Sequence, residues 1–484
     1  MRRELPLPQE LWDQIPAHVQ AALWVVVDGY EQRLATLAAQ VAGLQGEVRE
    51  LKEQLNQTSQ NSSRPPSSDG PRVKRKPPRE RSGRKRGAQP GHPPYYRTLI
   101  PVEQVAEVVI CHPHSCRRCG QPLHGRDPQP RRHQVLEVPP ATPQVTEYQL
   151  HRLVCARCGI TTCGALPAGV PASSYGPRLA SLIALCGGAY RMSKRMIASF
   201  CADVLGVPLA VGEICEVEQT VAQALEPPVQ AARTYVQTQN ANVDETSWRQ
   251  QQRRAWLWSV VTQGVSVFYI RTSRSAKVLR ELLGVGYRAI LTSDRAKAYN
   301  CQPVPQRQLC WAHLRRNFQA MIDRGGAGAA VGESLLEHTA VLFGWWYWVR
   351  DGTWSRATWQ RYMRGLRQSF RGELEAGARS ACEKTATTCR ELLAREAALW
   401  TFVRVPGLDP TNNAVERALR HAVQWRKTSY GTDSMAGSHF VENILTVVAS
   451  CRQQERHVLT YLTACCQALY AGTQPPSLLP QTVS

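Results

Sequence analysis

Short β-forming segments with carboxylates at their edges constrain this chain more than any other feature. Asn242-Val243-Asp244-Glu245-Thr246-Ser247-Trp248 follows the alternating run Thr234 to Gln239, and Ala255 to Thr262 and Val265 to Ile270 read as the next two strands. Asp244 is therefore expected to end or closely follow a first sheet strand. Ala289 to Ser293 is a further β segment that runs straight into Asp294. Much later, Asn412-Asn413-Ala414-Val415-Glu416-Arg417 opens a helical pattern, with Asn412 or Asn413 as its cap. Met321 to Leu399, in between, is mainly helical and crowded with aromatics such as Trp345, Trp346, Trp348 and Trp359. Those rings read first as core, and alternatively as platforms for unstacked bases. The pattern predicts a multidomain α/β protein whose core, residues 229–320 and 401–455, is interrupted by a helical insertion at 321–400 and followed by a tail at 456–484.

Charge sets the class of partner. Lys and Arg number 59 against 38 Asp and Glu, a balance of +21 that calls for a polyanion, most often nucleic acid. No run of about 18 apolar residues occurs, and the start, with Glu4, Glu10 and Asp13, has no signal-peptide pattern. The expectation is a cytoplasmic, nucleoid-associated bacterial protein with no membrane partner.

From Tyr30 the apolar positions Leu34, Leu37, Val41, Leu44, Val48, Leu51 and Leu55 alternate steps of four and three. This seam, sustained over about 39 Å of helix, predicts a coiled coil at 20–57 and a homo-oligomer formed through it. Packing against its own protein is the alternative. The linker at 58–98 is polar and rich in Pro and Ser, then strongly basic at Arg72, Lys74, Arg75, Lys76, Arg84, Lys85 and Arg86. Such a block attracts phosphates without reading sequence.

Of the 16 cysteines, Cys116-Arg-Arg-Cys119 and Cys155-Ala-Arg-Cys158 have metal spacing, each pair followed by a glycine. Four thiolates suit a structural Zn²⁺ in a small β module at 99–170. Arg132 to Val138 and Gln144 to Leu150 read as the strands that would join the two knuckles. Residues 175–228 turn helical, with a Ser193 cap, a turn at Gly206 and Pro208, and a new helix from Val211. A helix-turn-helix module fits this spacing. Glu213, Glu216 and Glu218 make its second helix acidic, however, so a plain helical connector stays open.

Four phrases carry a family resemblance: Val243-Asp244-Glu245-Thr246; Ser293-Asp294 with Ala298-Tyr299; Leu309-Cys310-Trp311-Ala312-His313-Leu314-Arg315-Arg316-Asn317-Phe318; and Asn412-Asn413 with Glu416-Arg417-Ala418-Leu419-Arg420. Together they resemble the transposases of the insertion sequence 66 family, which are DDE enzymes, and the resemblance extends over nearly the whole chain. It implies a ribonuclease-H-like catalytic domain with Asp244, Asp294 and Glu416 as catalytic residues, a leucine zipper, a zinc-binding domain, and accessory proteins encoded by the same element.

Such an enzyme cuts DNA at transposon ends and transfers the strand to a target. The chemistry needs an activated water or 3′-hydroxyl, a stabilised leaving oxygen and a neutralised phosphate, which two Mg²⁺ (or Mn²⁺) ions roughly 3.5–4 Å apart supply. Asp244 would bridge both ions, Asp294 would hold one and Glu416 the other, with Glu245 the rival at the first position. His313 either touches the scissile phosphate or a metal-bound group, or is a helix-start histidine. Arg315, Arg316 and Lys427 are candidates for the DNA backbone. Arg417 follows Glu416 directly, and Arg420, one turn beyond it, could orient its carboxylate. A DNA-binding regulator with an inactive core, and a nuclease without strand transfer, stand as alternatives.

Overall fold

The computed structural model describes residues 8–62, 69 and 97–481; the basic run from Arg72 to Arg86 lies outside them. The chain divides into a large unit, residues 1–73, 148–197 and 210–484, and a small one, residues 74–147 and 198–209.

The heptad stretch forms one helix. After α1 (Gln9–Trp12), α2 (Ala17–Leu55) runs for 39 residues. Its seam from Tyr30 to Leu55 is solvent-exposed at every apolar position, so in the single chain nothing covers it. Its far end touches the body of the unit. Glu53 meets Arg324 and Lys384 there, and Asn61 Nδ2 donates to Asp323 at 2.7 Å.

The cysteine-rich region departs from expectation in its strands. Arg132 to Val138 and Gln144 to Leu150 form none; the ladder is instead a short antiparallel hairpin of β1 (Arg152–Val154) and β2 (Thr161–Cys163). Pro139, Pro140 and Pro143 separate the two expected strands and supply no N–H for a ladder. Helices α3 (Pro177–Gly188), α4 (Lys194–Leu205) and α5 (Val211–Val236) follow. Two of the three acids of α5 turn out to be structural, while Glu216 is exposed. Glu218 is buried against Lys194, while Glu213 accepts from Tyr175 and from the Ala210 N–H. Ile214, Val217, Val221, Leu225, Val229 and Val236 share its buried face, which makes α5 a packing helix.

The sheet has five strands in the order β5-β4-β3-β6-β7. β3 (Ala241–Gln250), β4 (Arg253–Val261) and β5 (Ser266–Arg271) form an antiparallel meander. The chain then crosses through α6 (Ala276–Leu283) to β6 (Leu291–Ser293) and β7 (Arg307–Leu309), which add in parallel on the other side of β3. Thr234 to Gln239, expected as a strand, is instead the last turn of α5 and the bend after it. Asp244 consequently lies within β3 rather than at its end.

The stretch expected as an insertion at 321–400 is helical, and its first helix already begins at Trp311. α7 (Trp311–Arg324), α8 (Ala329–Arg350), α9 (Arg356–Ala378), α10 (Glu383–Leu393), α11 (Glu396–Leu399) and α12 (Thr401–Arg404) surround Trp346, Trp359, Trp400, Phe370 and Phe402. Of the tryptophans named as base-stacking candidates, Trp359 is fully buried and Trp346 nearly so, Trp345 packs partly buried against the same core, and Trp348 is exposed.

Two helices then return to the sheet. α13 (Asn413–Ser429) and α14 (Met435–Gln453) bury Val415, Leu419, Val441 and Leu445 against Trp248, Leu257, Phe268 and Ile270. α14 also closes the sheet's edge. Every second N–H of β5 finds an α14 side chain: Ser266 donates to Ser450, Phe268 to Thr446 and Ile270 to Glu442, at 3.0, 3.1 and 2.6 Å. Two strand residues span about 6.6 Å and four helical residues about 6 Å, so the two repeats match. The edge that would invite another strand is thereby satisfied. The expected tail is not one: α15 (Val458–Ala471) buries Tyr461, Leu462, Cys465 and Cys466, and Leu478 beyond it is fully buried.

Candidate active site

Sheet register brings the first two acids together. β3 and β6 pair in parallel through Ala241 with Leu291 and Asn242 with Thr292. The same register carried two residues further sets Asp244 level with Asp294. Both side chains accept from nearby backbone, Asp244 Oδ1 from the Glu245 N–H at 2.9 Å and Asp294 Oδ1 from the Ala296 N–H at 2.8 Å.

The third acid arrives from α13. Glu416 stands in its first turn, and Asn412 just before it ties that turn to the sheet. Asn412 is fully buried; its Nδ2 donates to Val243 O at 3.0 Å and its backbone N–H to Cys310 Sγ at 3.1 Å. Trp311 N–H donates to Pro410 O at 3.0 Å, closing the same junction. Cys310 directly follows β7, and its own N–H donates to Ser293 O at 2.9 Å, which extends the parallel pairing by one residue. The acids therefore gather where the parallel strands end.

Electrostatics mark the cluster. Burial, and then the charges of Glu245 and Asp294 with a further push from Glu416, hold the Asp244 carboxyl well above the usual carboxylate range. Burial also raises Glu245, against the Tyr299 hydroxyl and the Arg274 guanidinium that both bond to it. Those partners make Glu245 a structural anion. Asp244, by contrast, has only like charges and one N–H around it.

His313 lies one turn into α7, with Nδ1 3.7 Å from Glu416 Oε1, too far for a hydrogen bond. Burial lowers its pKa despite Asp294 and Glu416, so the ring is neutral. His313 Nδ1 and Glu416 Oε1 are both buried without a partner. Burial pushes the Cys310 thiol up to about 12.

The basic candidates are spread more widely. Arg315 is exposed and lies over Phe343, 5.9 Å from the ring centre, while half-buried Arg316 bears on His313. Arg420 and Lys427 are exposed on α13. Arg417 points away from the carboxylates, into a cleft of about 420 Å³ with His421, Arg452 and Phe268. A second cleft of about 740 Å³ opens three residues beyond Asp244, lined by Ser247, Arg249, Arg254, Arg426 and Tyr430. Arg426 crosses from α13 to β3, donating to Thr246 Oγ1 at 3.0 Å and Ser247 Oγ at 2.6 Å. Sequence reading passed over Cys310 and Asn412 as site residues, because their partners lie about a hundred positions away; the Asn412-Asn413 cap was the one available signal.

Each cysteine knuckle has the same local geometry in its own unit. Gly120 N–H donates to Cys116 O and Gly159 N–H to Cys155 O, both at 2.9 Å, and both glycines hold φ of +72°. Backbone N–H groups directed at Cys116 and Cys155 lower both thiols.

Sequence comparison shows the family. The model of the transposase IS66 family matches residues 172–439, which contain Asp244, Asp294, His313 and Glu416. The chain belongs to that family. A model for a family of unknown function matches residues 4–97 of this IS66-family chain. It is also similar to "Uncharacterized protein y4qI" of Sinorhizobium fredii (strain NBRC 101917 / NGR234), 28% identical over 236 residues. That match covers 43% of this chain and 43% of the length of the relative. Among the described residues no helix is long and apolar enough to cross a membrane.

The donors fit the divalent metal such an enzyme uses. Asp244 is buried among like charges, and Glu416 Oε1 is buried with no hydrogen-bond partner among the described residues, a setting of hard oxygen donors that suits a divalent cation.

Proposed function

We propose that this chain is a DNA transposase that cuts at its element's ends and joins the freed strand to target DNA. Asp244, Asp294 and Glu416 would hold two Mg²⁺ or Mn²⁺ ions. The observation that carries the reading is the convergence of charge at Asp244, where burial is compounded by Asp294 and Glu416 from two other elements. An antiparallel meander extended by two parallel strands supports a ribonuclease-H-like core. When bound, the ions would lower the pKa of the attacking hydroxyl and neutralise charge on the phosphate.

The chain's own residues then divide the remaining work. Asn412 sets the distance between the strand of Asp244 and the helix of Glu416. His313, neutral, offers a hydrogen-bonding group beside the carboxylates without adding charge. Tyr299 and Arg274 fix Glu245, so that it supports Asp244 instead of competing with it. Arg315, Arg316, Arg420, Lys427 and the basic run from Arg72 to Arg86 would grip the phosphate backbone, without reading bases. Arg417 is the weakest of the named candidates, because its cleft lies off the carboxylates. The α2 seam supports a homo-oligomer, since so long an apolar stripe left open is a docking face. Cys116, Cys119, Cys155 and Cys158 would hold one structural Zn²⁺, which zinc stoichiometry in Cys116→Ser and Cys155→Ser checks.

The deciding experiment uses DNA carrying the element's own ends. Mg²⁺-dependent nicking and joining are compared between the native chain and Asp244→Asn, Asp294→Asn and Glu416→Gln at matched DNA affinity. Loss of both activities in all three, with binding intact, is the expected result. Cleavage that survives any of the three removes that residue from the site, and nicking without joining replaces the transposase with a nuclease.

A further inference from the structure

Glu416 does not face carboxylates alone. The donor atoms of Cys310, His313 and Glu416 all lie within 4.8 Å of one another. Two of them, His313 Nδ1 and Glu416 Oε1, are 3.7 Å apart and are buried with no hydrogen-bond partner. Buried polar atoms in a folded protein ordinarily have one. A tetrahedral zinc ion, with bonds of about 2.0–2.3 Å, sets its nitrogen, oxygen and sulfur donors about 3.4–3.6 Å apart. The His313–Glu416 pair already stands near that spacing at 3.7 Å, and no donor pair, all being within 4.8 Å, has to close by more than about 1.4 Å.

The frame that holds the three donors is rigid. Cys310 is fixed to β6 through its N–H and to Asn412 through its sulfur, and Trp311 is fixed to Pro410. The start of α7 and the start of α13 are thus one joint, not two surfaces that happen to face. The donor set also differs in kind from the acids beside it. A thiol, an imidazole and a carboxylate suit borderline and soft ions, whereas Mg²⁺ takes oxygen alone.

We propose that Cys310, His313 and Glu416 form an inhibitory site for a borderline or soft divalent cation such as Zn²⁺ or Cd²⁺, which competes with the Mg²⁺ or Mn²⁺ pair for Glu416. The proposal rests on the reading of Glu416 as a ligand of that pair. Binding forms a metal–sulfur bond and releases the thiol proton to solvent. Three protein ligands leave a fourth position open for water or a neighbouring carboxylate. The site is separate from the Cys116, Cys119, Cys155 and Cys158 knuckles, which share no ligand with it.

The test uses the full chain with its knuckles already zinc-loaded. Cd²⁺ is titrated while thiolate-to-cadmium absorbance is read, and bound Mn²⁺ is followed by its electron paramagnetic resonance signal, in the native protein, Cys310→Ser and His313→Ala. The native chain should take up one more thiolate-bound equivalent than Cys310→Ser and lose its Mn²⁺ as it does so. Both variants should need at least roughly tenfold more Cd²⁺ to displace Mn²⁺, since even the residues behind metal ligands are worth 10–100-fold. Equal cadmium uptake by native and Cys310→Ser overturns the site, and uptake that leaves Mn²⁺ bound overturns the competition. If Mn²⁺ is bound and displaced as expected yet no DNA is ever cut, the cation site stands and the catalytic reading falls.

Discussion

Replacing Asn412 with aspartate should damage this protein more than replacing it with alanine, although aspartate has the same shape. Asn412 is fully buried and acts as a donor: Nδ2 to Val243 O at 3.0 Å. Alanine removes that one hydrogen bond and leaves a buried carbonyl short of a partner, a loss of about 1–3 kcal/mol. Aspartate keeps the volume but turns the donor into an acceptor that faces the Val243 carbonyl, next to Asp244, Asp294 and Glu416. A buried charge left unpaired in this way costs about 3–5 kcal/mol. At about 2–4 °C per kcal/mol, typical of a domain of 150–250 residues, the melting temperature should fall by roughly 2–12 °C in Asn412→Ala and roughly 6–20 °C in Asn412→Asp. The assay is thermal melting in EDTA across pH. A buried carboxyl of this kind has a raised folded pKa, so its protonated form is the one the fold tolerates, and in acid its O–H regains the role of donor. Asn412→Asp should therefore approach the native protein as pH falls, while Asn412→Ala stays parallel to it. An Asn412→Asp protein as stable as Asn412→Ala at neutral pH, or with no recovery in acid, would refute the donor argument and leave Asn412 as mere filling.

Three further outcomes follow from the same geometry. Because the folded Asp244 carboxyl lies well above its ordinary 3.8, the metal-free native protein should lose stability relative to Asp244→Asn as pH rises above that value, and Mg²⁺ should restore it in the native chain only; melting curves with EDTA or Mg²⁺ decide. Thr446→Val should cost about 1–3 kcal/mol in urea denaturation by stranding the Phe268 N–H on the edge of the sheet, whereas Thr446→Ser, which keeps the hydroxyl, should cost less than half of that. Leu37→Lys with Leu44→Lys places two charges in the uncovered α2 seam and should shift sedimentation from oligomer to monomer while the melting temperature of the catalytic unit stays put.

What could be read from sequence followed the range over which each signal extends. The α2 heptads repeat over many residues, so their periodicity is unambiguous, and the aromatic insertion was legible as helical because the pattern runs over a long stretch. Thr234 to Gln239 misled because six alternating residues at a helix end look like a strand; only the length of α5 before them tells otherwise. Arg132 to Val138 and Gln144 to Leu150 had strand-like composition but form no strand; the short Pro-rich connection between them is a poor hairpin turn. The acids at 244, 294 and 416 stood out as candidates because the strand and helix contexts around them are local. Asn412 and Cys310 were missed as a pair since what matters about them is their contact, which no window of sequence contains.

That contact also explains how a helical insertion can interrupt the core without misplacing Glu416. The chain leaves the sheet at Cys310 and returns at Asn412, and the two ends are bonded to each other: Asn412 N–H to Cys310 Sγ and Trp311 N–H to Pro410 O. The insertion is pinned once more just before it returns. Gln308 and the Trp311 ring both donate to Leu399 O, Phe402 N–H donates to Gln308 Oε1, and Thr401 Oγ1 donates to Arg307 O. With its ends fixed on β7, the insertion behaves as a closed loop carrying its own core, and doubling the length of such a loop costs only about 0.6 kcal/mol in closure entropy. The position of Glu416 therefore depends on a few bonds at the neck and hardly at all on how many residues lie beyond it. Tryptophans deep in α8 and α9 can change the stability of the insertion while the acids stay in register, whereas a single lost bond at Asn412 moves the third acid away from the first two.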